Sequence, residues 1–357
     1  MISAVSPSPN SPLVAVIIPS YRVKTHILSV ISRIGEEIGL IVVVDDACPE
    51  GSGEHVRTHC RDPRVKVLTL QQNQGVGGAV MAGYDYAYRF GADIFVKVDG
   101  DGQMDPALIP QLIEPTLVGG ADYTKGNRFY NVDGLRSMPF VRLFGNAALS
   151  FMTKMSSGYW NIFDPTNGFT ALRAELFAQI PWRKVSRRYF FESDLLFRLN
   201  VARAYVVDVP MSAVYADEES GLKISRIIHS FFFGNLLNSF KRISYNYFLR
   251  DFTIGSIQLL VGVSFLLFGS IFGSVAWYQS AVTGVTASTG TVMLAALPVI
   301  LGVQLLLSFL AFDIAATPSR AIHRLLTIRS SAERRAAFES ENPDDLPGEI
   351  DGAEASK

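Results

Sequence analysis

An open α/β domain followed by a membrane hairpin is the architecture this sequence predicts, and three patterns predict it. Through the first half, short β-branched runs alternate with helix-length stretches, the pattern of strands joined by crossover helices. Residues 252–312 contain no Asp, Glu, Lys or Arg, whereas a bilayer core needs only about 20 apolar residues per helix. The 357 residues are 48% hydrophobic and 18% charged, with mean hydropathy +0.23. That is too apolar for an ordinary soluble protein and too polar for a transporter.

The strand-like runs are 13–18, 40–44, 65–70, 94–98 and 123–126, separated by helix-length segments at 25–38, 53–60, 77–90 and 106–118. Strands covered by helices on both faces form a mostly parallel sheet, whose ligand site lies outside the carboxyl ends of the strands. Polar residues collect there: Pro19, Ser20 and Tyr21, then Asp45 and Asp46, then 73–78, then 99–103. Gly75, Gly77 and Gly78 follow the third strand with the wrong spacing for a dinucleotide fingerprint, so no nicotinamide or flavin is expected.

Residues 224–250 mix aromatic and aliphatic side chains with Arg226, Lys241 and Arg242, which predicts amphipathic helices in the headgroup plane. Two spans follow, at about 252–277 and 291–312, with a Gly/Ser/Thr-rich connection at 280–290. Lys241, Arg242 and Arg250 precede them; Arg320, Arg324, Arg329, Arg334 and Arg335 follow, and the connection carries no charge. The positive-inside rule therefore puts both termini in the cytoplasm of a multi-pass protein of the cytoplasmic membrane. The expected divisions are a disordered tail (1–12), the α/β domain (13–223), interfacial helices (224–250), the hairpin (251–313) and a partly disordered cytoplasmic tail (314–357). The first residues lack the basic and apolar regions of a signal peptide. A net charge of -1 with no basic stripe argues against nucleic acid. Cys48, His55, His59 and Cys60 match no zinc spacing.

The most informative stretch is VKVDGDGQMDP at 96–106. An apolar strand ends in Asp99 and Asp101, and alternate residues of an extended chain point the same way. Two carboxylates turned together through Gly100 suit Mg²⁺ or Mn²⁺, which completes its shell with water and phosphate oxygens. A diphosphate-bearing substrate follows from that preference.

Seven segments, IIPSYR (17–22), VVVDDACPEG (42–51), NQGVGGAVMAGYDYA (73–87), VDGDGQMDP (98–106), KGNRF (125–129), DPTNGFTALR (164–173) and FFESDLLFRL (190–199), occur in this order. In that order they resemble family 2 glycosyltransferases, and more narrowly the polyprenol-phosphate glycosyltransferases related to dolichol-phosphate mannose synthase. The resemblance covers about residues 14–224 and extends to the paired C-terminal helices of bacterial members. It implies a GT-A-type fold, with Pro19, Tyr21, Val44, Asp46 and Asp99 around the nucleotide. It implies Asp99, Asp101 and Gln103 at the metal and sugar diphosphate, and Arg128 at the lipid phosphate, with Asp99, Asp101 and Arg128 as the catalytic set. Asp164, Asn167 and Gly168 would lie near the sugar, and Glu192 and Asp194, at the position where relatives with hydroxyl acceptors keep a base, would either orient the sugar or sit on a helix surface. Val76 stands where relatives often carry Lys or Leu, and Ala216 replaces the usual Gly of a YGDExS-like segment. Arg142, Lys223 and Arg226 are then the further cations for the acceptor phosphate. QIPWR at 179–183 is not the QxxRW of processive synthases.

The expected reaction is metal-dependent, inverting transfer of a hexose-type sugar from a nucleotide diphosphate sugar to polyprenyl phosphate. A lipid phosphate is already anionic and needs positioning and charge screening more than a strong base. Transfer to a hydroxyl of a lipid-linked saccharide is the alternative enzyme, and a non-catalytic nucleotide-sugar-binding membrane scaffold the alternative class. Sugar, base, isoprenoid length and assembly into a homo-oligomer are left open.

Overall fold

The computed structural model describes residues 12–128, 140–211 and 224–341. The strands β1 (Val14–Ser20), β2 (Leu40–Asp45), β3 (Val65–Thr69), β4 (Ile94–Lys97), β5 (Tyr123–Asn127), β6 (Thr170–Arg173) and β7 (Val206–Pro210) form one sheet in the order β3-β2-β1-β4-β6-β5-β7. All pairings are parallel except those of β6, which runs antiparallel between β4 and β5. The expected open, mostly parallel sheet is present, with β6 and β7 added to the five strands read from the sequence.

Alternation along the central strands builds two cores. Leu40, Val42 and Val44 of β2 join Ala15, Ile17 and Phe95 on one face. Ile41 and Val43 join Val14, Val16, Ile18 and Val96 on the other. Burial of both faces is what makes these runs continuously apolar. Helices α1 (Ile27–Ser32), α2 (Ser52–His59), α3 (Val76–Phe90) and α4 (Ile109–Leu117) cover them. α1 stops well short of the expected 25–38. Arg64 takes the carbonyls of Gly35 (2.5 Å) and Ile38 (3.0 Å), so those groups are satisfied without further helical turns. The register pairs Pro19 with Val44 and Ser20 with Asp45, which brings the strand ends level.

Helices α5 (Phe140–Ser157), α6 (Ala174–Phe177) and α7 (Phe191–Val201) complete the domain, and α8 (Ile224–Ser244) lies across it, continued by one π-helical turn over Tyr245–Arg250. α8 is inside out. Its Asn235, Asn238, Ser239 and Arg242 are buried against the domain, while Phe233, Leu236, Leu237 and Phe240 are exposed. The segment expected to form interfacial helices is thus one long helix and its π-helical turn, with the apolar side turned outward.

α9 (Ile254–Thr283) and α10 (Thr289–Ala315) are both long and apolar enough to cross a membrane. At about 1.5 Å per residue they reach roughly 45 and 40 Å, more than the roughly 30 Å hydrocarbon core. They extend beyond the expected limits, so the connection shrinks to 284–288. Gly255, Gly262 and Gly269 recur every seven residues on α9 and meet Phe312, Leu306 and Val299 of α10. Small residues on that line let the backbones approach closely.

The segment after α10 returns to the α/β domain. Buried Asp122 accepts N–H groups from Tyr205, Ile322 and His323 at 2.7–2.9 Å, and His323 Nδ1 lies 2.7 Å away. In α11 (Ser331–Glu341), Arg334 donates to the carbonyls of Tyr88 and Ala92, and Phe338 packs edge-on against Tyr86 and Phe90. This part of the expected tail is therefore ordered; residues 342–357 lie outside the described residues. The hairpin is also tied at its base. Arg242 contacts both oxygens of Asp313 at 2.6 and 2.9 Å, Tyr247 donates to Asp313 at 2.7 Å, and Trp160 at 2.8 Å.

Candidate active site

A cleft of about 330 Å³ opens at the carboxyl ends of β1, β2 and β4, lined among others by Pro19, Tyr21, Asp46, Asp99, Asp101 and Arg188. Tyr21 is 41% exposed, a ring available for stacking at the rim. Asp46 lies in the wall, but its two oxygens accept the N–H groups of Gln74 (2.6 Å) and Gly75 (2.8 Å). It orders the loop that starts α3. Gly75 has φ +84°, and a Cβ there would fall 2.8 Å from the Arg187 carbonyl, so this entry to the helix requires glycine. Val44 is not in the wall, contrary to its expected nucleotide role. Alternation turns it into the core beside Ile17 and Gly83, and its neighbours Asp45 and Asp46 carry the polar end of the strand.

Asp99 and Asp101 both face the cleft. Asp101 accepts the Gln103 N–H at 3.0 Å, closing the turn through Gly102, which has φ +79°. Gln103 is exposed and outside the cleft lining, so the expected trio is represented here by its two carboxylates. Both are hard oxygen donors, and among the described residues no third His, Cys, Asp or Glu joins them. Such a set fits a cation whose other positions are taken by water and diphosphate oxygens.

Beneath Asp99 lies a residue that sequence reasoning missed. Lys97 is 1% exposed, 2.8 Å from Asp99 Oδ1 and 3.3 Å from Glu192 Oε1. Burial alone would depress this ammonium; Asp99 and Glu192 outweigh it and hold the group above the usual lysine range. The available signal was a single Lys in an otherwise apolar strand. Gly168 lies directly over the pair. A Cβ there would come within 2.8 Å of Asp99 Oδ2 and closer still to Lys97 Nζ.

The remaining expected sugar residues separate into different roles. Asn167 is buried and spends its side chain on the Gly126 carbonyl (2.7 Å) and the Phe169 N–H (3.0 Å). It shapes the turn and does not face the cleft. Asp164 is fully buried and holds Arg128 through Nε at 2.8 Å and Nη2 at 3.2 Å; it positions that guanidinium, which remains 38% exposed. Glu192 reaches the Lys97 cluster, whereas Asp194 turns away. Asp194 accepts from Ser186 N–H (2.9 Å), Asn238 (3.0 Å) and Arg198 (3.2 Å), linking α7 to α8. Lys125 donates to the Asn167 carbonyl, and burial lowers its pKa to about 8. Asp208 accepts the Phe163 N–H at 2.7 Å, and burial raises its pKa to about 6. Arg188 and Tyr189, which line the cleft ahead of α7, were not anticipated. Lys223 and the side chains of Arg142 and Arg226 lie outside the described residues.

The α/β domain is similar in sequence to known glycosyltransferases. The family description "Glycosyl transferase family 2" matches residues 15–180. An undecaprenyl-phosphate mannosyltransferase of Micrococcus luteus is 31% identical over 205 residues, which is 56% of this chain and 83% of that protein. A polyprenol monophosphomannose synthase of Mycolicibacterium smegmatis is 30% identical over 212 residues, 58% of this chain and 78% of its own. Among solved structures, glucosyl-3-phosphoglycerate synthase of Mycobacterium tuberculosis aligns with a TM-score of 0.48 at 16% identity, covering 65% of this chain and 80% of that one. With such relatives matched over most of their length and the strand-end cleft intact, this chain is a glycosyltransferase and belongs to glycosyl transferase family 2.

Proposed function

We propose that this protein transfers a sugar from a nucleoside diphosphate donor to a polyprenyl phosphate, with inversion at the anomeric carbon, at the cytoplasmic face of a membrane that its hairpin spans. The observation that carries the choice of acceptor is the state of the carboxylates in FFESD. A hydroxyl acceptor requires a general base, but Glu192 is ion-paired with Lys97 and Asp194 with Arg198. A phosphate acceptor requires no base and is served by a cation. Arg128, held from behind by Asp164, presents a planar fork suited to phosphate oxygens. The two mannosyltransferase relatives named above support the same acceptor class.

In this reading Tyr21 stacks on the base at the rim of the cleft, and the N-terminus of α3 offers backbone N–H groups to the diphosphate. Asp99 and Asp101 would hold Mg²⁺ or Mn²⁺, and the ion would supply neutralisation of charge on the diphosphate leaving group. Lys97 fixes the Asp99 carboxylate from below, and Arg128 orients the attacking phosphate oxygen. The membrane part of the reading rests on the two apolar helices and on the chain before and after them, which packs on one domain. Both ends of the hairpin then lie on the same side.

The test incubates membranes containing the full chain with polyprenyl phosphate and a panel of labelled nucleotide sugars. One label becoming soluble in organic solvent, and released by mild acid as free sugar, is the expected result. Label that enters only a pre-formed lipid-linked saccharide would refute the phosphate acceptor.

A further inference from the structure

At the far end of α7 from Glu192, about 14 Å away along the helix, a second pocket of about 330 Å³ opens between α7, the turn before α9 and the segment after α10. Arg198, Phe197, Tyr245, Arg250, Ile322 and Leu326 are among the residues lining it. Arg250 is the unusual member. Its Nη2 donates to the Val201 carbonyl at the end of α7, an ordinary cap for a helix C-terminus. Its Nη1 is buried and has no acceptor. The guanidinium carbon lies 4.8 Å from the centre of the Tyr245 ring. Among the described residues no carboxylate neutralises it: the adjacent Asp251 pairs with Arg203 at 3.1 Å, and the other guanidinium in the pocket, Arg198, is paired with Asp194.

The surroundings identify the medium that the pocket faces. Arg250 lies four residues before α9 begins, and Ile322 and Leu326 follow α10 within eleven residues. Leu249, Phe252 and Leu325 around it are 77%, 67% and 83% exposed. An apolar rim at the base of a membrane hairpin encloses one uncompensated cation with an unused N–H. We infer that this pocket binds the headgroup of an anionic phospholipid of the surrounding bilayer, its phosphate accepting from Arg250 Nη1 and its acyl chains following the exposed apolar rim.

This inference rests on the membrane reading, and the two are tested apart. Sodium carbonate washing of membranes tests the span: release of the chain into the soluble fraction defeats the membrane reading and the pocket together. Retention with no lipid preference defeats the pocket alone. The pocket assay uses the full chain in neutral detergent, titrated with dioctanoyl phosphatidylglycerol, dioctanoyl phosphatidylcholine, polyprenyl phosphate or inorganic phosphate, and follows the shift in melting temperature. Phosphatidylglycerol is expected to bind at least tenfold more tightly than phosphatidylcholine or inorganic phosphate, and Arg250→Gln to weaken it about tenfold. Because Arg250→Gln also removes a helix cap, Leu326→Glu serves as the second variant. It puts a carboxylate into the pocket lining that holds the guanidinium, leaves the Val201 cap in place, and should give the same loss of lipid binding without lowering the melt in the absence of lipid. Inorganic phosphate binding as tightly as the lipid would overturn the lipid assignment, as would polyprenyl phosphate displacing phosphatidylglycerol at lower concentration. Equal lipid affinity in wild type and Leu326→Glu would overturn the site.

Discussion

Replacing Lys97 by Met isolates the interaction that supports the carboxylate pair from below. The ammonium lies 2.8 Å from Asp99 and 3.3 Å from Glu192, with its side chain 2% exposed. At an effective dielectric near 20, each contact is worth roughly 4–6 kcal/mol of attraction, offset by the cost of having buried the ammonium. Removing one partner of a buried ionic cluster costs about 3–5 kcal/mol, because the remaining charges are left uncompensated. Here two carboxylates would face each other. For a domain of this size that is a fall in melting temperature of roughly 10 °C. Glu192→Gln in the Lys97→Met background removes the surplus charge and should recover more than half of the loss, whereas Glu192→Gln alone should be mild. Thermal melts of the four proteins in one detergent complete the cycle. A Lys97→Met melt within about 2 °C of wild type would show that the cluster contributes nothing and that the reasoning is wrong.

Four further substitutions have outcomes set by the structure. Asp101→Asn should lower kcat/KM by several orders of magnitude, about 3–5 kcal/mol of transition-state stabilisation, and Arg128→Ala should act mainly on the lipid acceptor; an Asp101→Asn enzyme near wild-type activity contradicts the assignment. Asp208, raised to about 6 by burial, binds its proton more tightly folded than unfolded. It therefore contributes stability that is complete below about pH 4 and lost as pH rises through about 6; Asp208→Asn should flatten melting temperature against pH across that window and raise it at pH 7.5. Asp313→Asn leaves Arg242 buried without its charge partner and should cost about 3–5 kcal/mol, seen as early loss of protease resistance at the junction between domain and hairpin.

Much of this was legible in the residues because burial on both sheet faces writes itself as continuous β-branched runs. The first five strands and the hairpin were readable for that reason. β6 was not: four residues, Thr170–Arg173, give too little pattern, and an antiparallel insertion between β4 and β5 has no local signature. Glu192 and Asp194 show why the site was harder. Two residues apart on a helix they are about 200° apart around its axis, so one faces Lys97 and the other α8. Nothing in FFESD alone says which. Lys97 was hidden because a lone Lys in a strand reads as pointing to solvent, and only the approach of Glu192, 95 positions later, turns it into a buried ionic centre. The Arg242–Asp313 pair, 71 positions apart, is a tertiary fact for the same reason.

The return of the chain after α10 bears on how the protein is made. Phe338 belongs to the same core as Tyr86, Ala87 and Ala92, and Asp122 waits for backbone N–H groups supplied by Ile322 and His323 some 200 positions later. A nascent chain at the ribosome has its sheet long before it has these partners. Until the hairpin has emerged and doubled back, Asp122 lacks these partners and one edge of the core lacks its covering helix. In the membrane reading proposed above, completion of the α/β domain is thereby coupled to insertion of the hairpin, and a chain that fails to insert would expose that unfinished surface to quality-control proteases.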